Sequence, residues 1–301
     1  NLFLGRDVAP LLQGRIDTIS ISLNGSTPEE YCAVTKPRQG VQAWDAMLDF
    51  AREHGLDYVV TGHYARIEQL PDGRYTLKKA VDTTKDQSYV LAWLTQEQLA
   101  HTRFPLGGLH KTEARTIAEA YGFCNAHKHD SQDICFVPDG DYVGFMEQYT
   151  GKRYPSGDFI DENGKKIGTH AGAVRYTIGQ RRGLGLPMGD RVYVCAKDME
   201  KNTVTVGPVE SLFATRVIVR DMNWISVPGL TGEMRVKAKL RYRQKEQPAV
   251  ASPLDGGRIL LTFDEPQRGP AIGQAAVLYD GDTVVGGGTI CGVPKDGEVC
   301  R

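Results

Sequence analysis

Apolar and polar positions alternate in two different ways along this chain. From Trp44 to His54, Met47, Leu48 and Ala51 fall on one helical face, and Gly55 is placed to end the helix. A β-branched and aromatic run, Asp57 to Ile67, follows and breaks at Thr61-Gly62-His63, the composition of a strand entering a loop at a sheet edge. Thr95 with Gln98 three residues on reads as a capped helix start, and Lys111 to Tyr121 as a second helix closed by Gly122. Helices alternating with strands predict an α/β layer domain.

Past about Gly151 helical periodicity disappears, and Gly, Pro and turn dipeptides become frequent. Tyr193 to Gly207 predicts a hairpin around Glu200 to Asn202. Short strands are predicted at Met234–Arg243, Arg258–Phe263, Gln274–Tyr279 and Thr283–Ile290, the spacing of a small β-barrel or sandwich. Strict alternation from Met234 to Lys245 would put Arg235, Lys237, Lys239, Arg241 and Arg243 on one face, and Met234, Val236, Ala238, Leu240 and Tyr242 on the other. One or two such charges are ordinary decoration of a solvated strand. Five like charges repel one another, and a polyanion that neutralises them is the better reason for the pattern.

Length and charge narrow the classes. A chain of 301 residues exceeds one ordinary domain. With 36 basic and 37 acidic residues the net charge is −1, so attraction to nucleic acid must come from local clustering. No apolar run approaches the roughly 18 residues of a membrane helix, and Asn1 to Pro10 has no signal-peptide layout, which predicts a cytoplasmic protein without membrane contact. The first residue, Asn1, suggests a start inside a longer protein. Six scattered cysteines make no disulfide framework, so reduced thiols are expected.

In His127 to Pro138, HKHDSQDICFVP, Cys135 follows two aspartates and precedes an apolar pair, and is the first candidate for a functional thiol. A free cysteine by itself is more often a small core hydrophobe. Cys124, His127, His129 and Cys135 are ligand types packed closely, but their spacing fits no familiar zinc finger, and no metal site is assigned. Gly183-Leu184-Gly185 carries no weight as a nucleotide loop.

Taken as whole strings, several segments resemble one family. Asp130-Ser131-Gln132-Asp133-Ile134-Cys135-Phe136, the TGHYAR string from Thr61 to Arg66, the KDQSY string from Lys85 to Tyr89, GTHAGAVRYTIGQRRGLG from Gly168 to Gly185, and Arg241-Tyr242-Arg243-Gln244 are similar to motifs of tRNA-specific 2-thiouridylases of the MnmA/TrmU type. The likeness runs nearly continuously from about Asp57 to about Ile290. It implies a truncated α/β domain of the adenine nucleotide alpha hydrolase type over residues 1–148, a small linking domain over 149–212, a C-terminal β-barrel over 213–292 and a tail over 293–301. It further implies ATP with Mg²⁺ as cofactor, tRNA and a sulfur-relay donor protein as partners, and sulfur transfer to the wobble uridine. Cys135 would carry the persulfide, Gly62 would contact ATP, and His63, Lys85, Asp86, Gln87, Arg241, Tyr242 and Gln274 would meet tRNA. The basic residues of the linking segment, His170, Arg175, Arg181 and Arg182, would lie along the tRNA path.

The resemblance fails near the amino end. The family's glycine-rich SGGxDS phosphate loop is missing from Asn1 to Val60. Its first catalytic cysteine corresponds to Cys32, where Thr27-Pro28-Glu29-Glu30-Tyr31-Cys32-Ala33 keeps the thiol but not its neighbours. Asn1 to Gln42, with a strand-like Thr18 to Leu23, reads as divergent. Two functions therefore compete: ATP-dependent tRNA 2-thiolation, and tRNA binding without catalysis.

Overall fold

The computed structural model describes residues 48–49, 51–53, 55–123, 141–186 and 191–294. Residues 48–49 and 51–53 are helical, and Gly55 at φ +68° ends that helix as its sequence predicts. The predicted strand after it divides in two. Strand β1 (Val59–Val60) is followed by a turn, then β2 (Ala65–Gln69) forms a hairpin with β3 (Tyr75–Lys79). Helix α1 (Gln96–Ala100) opens on the predicted capping box of Thr95 and Gln98. Strand β4 (Thr102–Arg103) pairs in parallel with β1, and α2 (Lys111–Ala120) is closed by Gly122 at φ +69°. Helix α3 (Tyr142–Thr150) ends at Gly151, in the left-handed region.

Beyond it the texture becomes β, as the turn-rich sequence predicts. Strands β5 (Gly157–Ile160), β6 (Lys166–His170), β7 (Tyr193–Asp198) and β8 (Thr203–Gly207) make a four-stranded sheet in the order β6-β5-β8-β7. The last two are the predicted hairpin, turning through Asn202 at φ +50°. The core of this sheet is Phe159, Tyr176, Leu184, Val194, Val204 and Val206. His170 belongs to that core: it is 2% exposed, its ring meets Phe159 edge-on at 5.3 Å, and its Nδ1 accepts the Gly172 amide at 3.0 Å. The expectation that it lines an RNA path is therefore corrected, whereas Arg175, Arg181 and Arg182 are exposed.

Strands β9 (Phe213–Trp224), β10 (Met234–Lys239), β11 (Gln247–Pro253), β12 (Ile259–Arg268), β13 (Ala275–Asp280) and β14 (Thr283–Gly292) follow. They run β13-β10-β11-β12-β9-β14, and the β13–β14 pairing closes them into a six-stranded barrel. Gly292 ends β14, and Val293 after it packs on the barrel core.

The β2–β3 hairpin does not stay with the helices that flank it in sequence. Thr283 of β14 pairs with Lys78 of β3, which adds the hairpin to the barrel sheet. Ala65, Leu77, Leu91, Leu94 and Leu99 share one apolar cluster with Ile225, Val277, Tyr279 and Val284 of the barrel segment. Side chains rivet the joint. The Arg74 guanidinium donates to the carbonyls of Ile225 (2.6 Å), Trp224 (2.9 Å) and Val227 (2.8 Å), and Asn223 Nδ2 donates to those of Ala92 (2.9 Å) and Leu94 (3.0 Å). Glycines make close approach possible within the shared strand β14, where a Cβ on Gly286 would stand 2.5 Å from the Asn223 carbonyl oxygen.

Arg74→Met should lower the unfolding free energy by about 2–3 kcal/mol, since it leaves carbonyls at the joint without donors. Removing the exposed Arg235–Asp264 pair by Arg235→Met should change stability far less, because water screens it. Urea unfolding followed by tryptophan fluorescence checks both, and equal effects would contradict the rivet.

Candidate nucleic-acid interface

Fastening the hairpin to the barrel leaves a cleft of about 1140 Å³ between them. One wall carries Gly62, Tyr64, Lys79, Lys111 and the turn from Thr83 to Gln87; the other carries Lys237, Lys239 and the segment from Tyr242 to Glu246. Among the described residues, seven lysines and arginines line it against two carboxylates, Asp86 and Glu246. Neither acid is available to a ligand's cations. Glu246 lies 2.7 Å from the Lys79 ammonium, and Asp86 accepts from the amides of Ala80 (2.9 Å) and Ser88 (3.3 Å) and from the Ser88 hydroxyl (2.7 Å). A chain of nearly zero net charge thus concentrates positive charge in one concave place.

The turns are built to present that wall. Gln87 holds the backbone of Tyr64 twice, its Oε1 accepting the Tyr64 amide and its own amide donating to the Tyr64 carbonyl, each at 2.9 Å. Thr84 and the Lys111 amide donate to Asp82, which holds that carboxyl below the usual carboxylate range and ties the lysine-bearing turn to α2. Gly62 is exposed, and a Cβ there would meet only Leu106 Cδ1, at 3.7 Å. The fold itself therefore does not demand glycine at this point. Close approach of a ligand would.

The predicted site residues separate into groups. Gly62, Lys85, Asp86, Gln87 and Tyr242 line the cleft. His63 stands off its walls: half-buried, it meets Phe104 edge-on at 5.9 Å, its Nδ1 lies 2.8 Å from the Thr61 hydroxyl, and burial lowers its pKa. Arg241 and Gln274 line a second cavity of about 690 Å³ between the four-stranded sheet and the barrel. Cys32 and Cys135, with Cys124, His127 and His129, lie outside the described residues. Among the described residues no group of three or more metal-ligating side chains occurs.

The five-charge face is corrected. Strand β10 ends at Lys239, and the chain then turns, so the alternation loses its phase. Arg235 pairs with Asp264 on β12. Arg241 points to the barrel's junction with the neighbouring sheet, where its Nη2 donates to Gly269 O (2.5 Å) and Ile178 O (3.3 Å). Lys237, Lys239 and Arg243 remain for the cleft, and Tyr242, placed by the alternation on the opposite face, is 44% exposed there. Sequence reading missed Lys79 and Lys111, because nothing in their local strings signals that distant segments converge on them.

Cys195 and Cys291 are the free cysteines among the described residues. Burial, reinforced by Glu162, pushes the Cys195 thiol up to about 11, the opposite of what a nucleophilic thiolate needs. At pH 8, iodoacetamide should label Cys195 about a hundredfold more slowly than an unperturbed thiol, through its smaller thiolate fraction. Labelling at the ordinary rate, read by peptide mass spectrometry, would contradict this.

Three family models cover most of the chain: the tRNA methyl transferase HUP domain over residues 18–139, the tRNA methyl transferase PRC-barrel domain over 143–208, and the aminomethyltransferase beta-barrel domain over 214–290. Similar proteins include the tRNA-specific 2-thiouridylase MnmA of Geotalea uraniireducens, 48% identical over 82% of this chain and 66% of the relative. That of Heliobacterium modesticaldum is 46% identical over 87% and 70%. The tRNA-specific 2-thiouridylase MnmA 1 of Thermoanaerobacter sp. is 50% identical over 89% and 73%. The chain thus spans about two thirds to three quarters of these relatives' length.

Proposed function

The chain belongs to the tRNA-specific 2-thiouridylase family, and from that premise we propose that it binds tRNA in the basic cleft and takes part in ATP-dependent 2-thiolation of the wobble uridine. The observation that supports this most is the convergence, on one concave surface, of Gly62, Gln87 and Tyr242 with seven cations, Lys85 among them, whose neighbouring carboxylates are already engaged. Phosphate neutralisation supplies most of the affinity of such a surface. The turns around it would fix register along the backbone.

In this reading the target base leaves its stack to be reached. Its C2 carbonyl oxygen attacks the α-phosphorus of ATP, pyrophosphate departs, and the oxygen becomes part of a good leaving group. The terminal sulfur of a persulfide on Cys135, loaded by a sulfur-relay protein, attacks C2 as AMP leaves. The Cys32 thiolate then attacks the Cys135 sulfur, which breaks the sulfur–sulfur bond, frees the 2-thiouridine and joins the two cysteines as a disulfide. Gly62, exposed and on the cleft wall, suits the close approach of the nucleotide, and Mg²⁺ would accompany its phosphates. In this reading the reaction belongs to the cytoplasm, where thiols stay reduced between turnovers.

Binding without catalysis is the second reading, since the basic cleft by itself suffices to hold RNA. A direct ATP-binding measurement on the 301 residues separates the two, because saturable binding supports the enzyme and its absence supports the binder. Cys135→Ser should abolish thiolation and spare tRNA binding; retained thiolation removes Cys135 from the reaction. Lys237→Glu with Arg243→Glu should weaken tRNA binding and flatten its dependence on salt by nearly two units of log–log slope. Unchanged affinity would count against the cleft.

A further inference from the structure

Lys239 differs from the other cations of the cleft in what surrounds it. Among the described residues its ammonium makes no ion pair. It stands instead between two aromatic rings, 5.5 Å from the centroid of Tyr89 and 5.6 Å from that of Tyr242, which are themselves 6.1 Å apart. The two rings are not equivalent. Tyr89 is 8% exposed, and its hydroxyl donates to the Ala275 carbonyl at 3.0 Å, which fixes it to strand β13. Tyr242 is 44% exposed and opens on the cleft.

The charges facing Lys239 come from several elements. Partial burial lowers its pKa below the usual lysine range, while Asp86 and Glu246 favour the protonated form and Lys79 opposes it. Both carboxylates are held elsewhere, Asp86 by Ala80 and Ser88 and Glu246 by Lys79. A half-buried ammonium between rings, with no carboxylate in contact, keeps its donors for an anion. The exposed ring beside it has the flat apolar surface on which a nucleobase stacks, with the cation adding to the attraction.

We propose that Lys239, Tyr242 and Tyr89 form a subsite for one unpaired RNA nucleotide, in which Tyr242 stacks the base, Lys239 takes an adjacent phosphate and Tyr89 positions the ammonium. The subsite rests on the tRNA-binding reading and deepens it, by assigning the barrel wall of the cleft to a nucleotide outside a duplex. Duplex RNA keeps its bases stacked on one another and offers this ring nothing but backbone.

Binding of a labelled tRNA anticodon stem-loop to the full chain, measured across salt concentrations, tests it. Tyr242→Leu should weaken binding about tenfold with the salt slope unchanged, and Tyr242→Phe should keep most of the affinity. Lys239→Met should lower the slope by about 0.7, the share of one phosphate on a single strand, and Lys239→Arg should restore it. Neither leucine nor methionine should alter binding of a blunt RNA duplex. If Lys239→Met weakens binding without moving the slope, or Tyr242→Leu weakens duplex and stem-loop alike, the subsite is overturned. Loss of ATP binding with stem-loop affinity retained would overturn it too, as the pair would then serve the free nucleotide. If the unaltered chain fails to bind the stem-loop, the tRNA-binding reading itself fails; if it binds and both variants match it, only the subsite does.

Discussion

The joint between the β2–β3 hairpin and the barrel is the constraint on which the candidate site depends. Residues separated by some two hundred positions share one apolar cluster there, and Arg74 and Asn223 lock backbone carbonyls across it. Without that joint, the turn holding Gly62 and the lysines of strand β10 would belong to separate bodies. With it, they form the two walls of one cleft.

The electrostatics follow from that placement. Basic residues facing one another across a cleft repel, and the cost is contained by two internal carboxylates and by aromatic rings beneath Lys79, Lys111 and Lys239. What remains uncompensated is suited to a polyanion. The second cavity, lined by Arg241 and Gln274, lies where the four-stranded sheet meets the barrel, and Arg241 itself bridges the two through Gly269 and Ile178. A residue read from the sequence as facing RNA thus also holds two domains together.

Local signals in the sequence were reliable where local physics decides. The Thr95–Gln98 box, the glycine after α2, and the hairpin from Tyr193 to Gly207 all formed as their strings predict. Alternation was legible in β10 only as far as Lys239, because the turn at Leu240 has no Gly or Pro to announce it. The hairpin's transfer to the barrel was not legible at all, since it depends on a pairing between Lys78 and Thr283 that no local pattern encodes. His170 sits among polar and glycine residues in sequence, and only the fold shows it inside an aromatic core. The motif strings singled out Gly62, Lys85, Gln87 and Tyr242, while the lysines that complete the cleft around them are supplied by tertiary structure.

Photo-crosslinking bears most directly on the claim that this cleft receives RNA. A tRNA anticodon stem-loop carrying 4-thiouridine at the wobble position and its neighbours would be irradiated with the full chain, and the adducts mapped by peptide mass spectrometry. The account predicts crosslinks on residues 62–87 from one wall and 237–246 from the other, competed by unlabelled tRNA. Competable crosslinks confined to other surfaces, with both of these segments free of adducts, would contradict it.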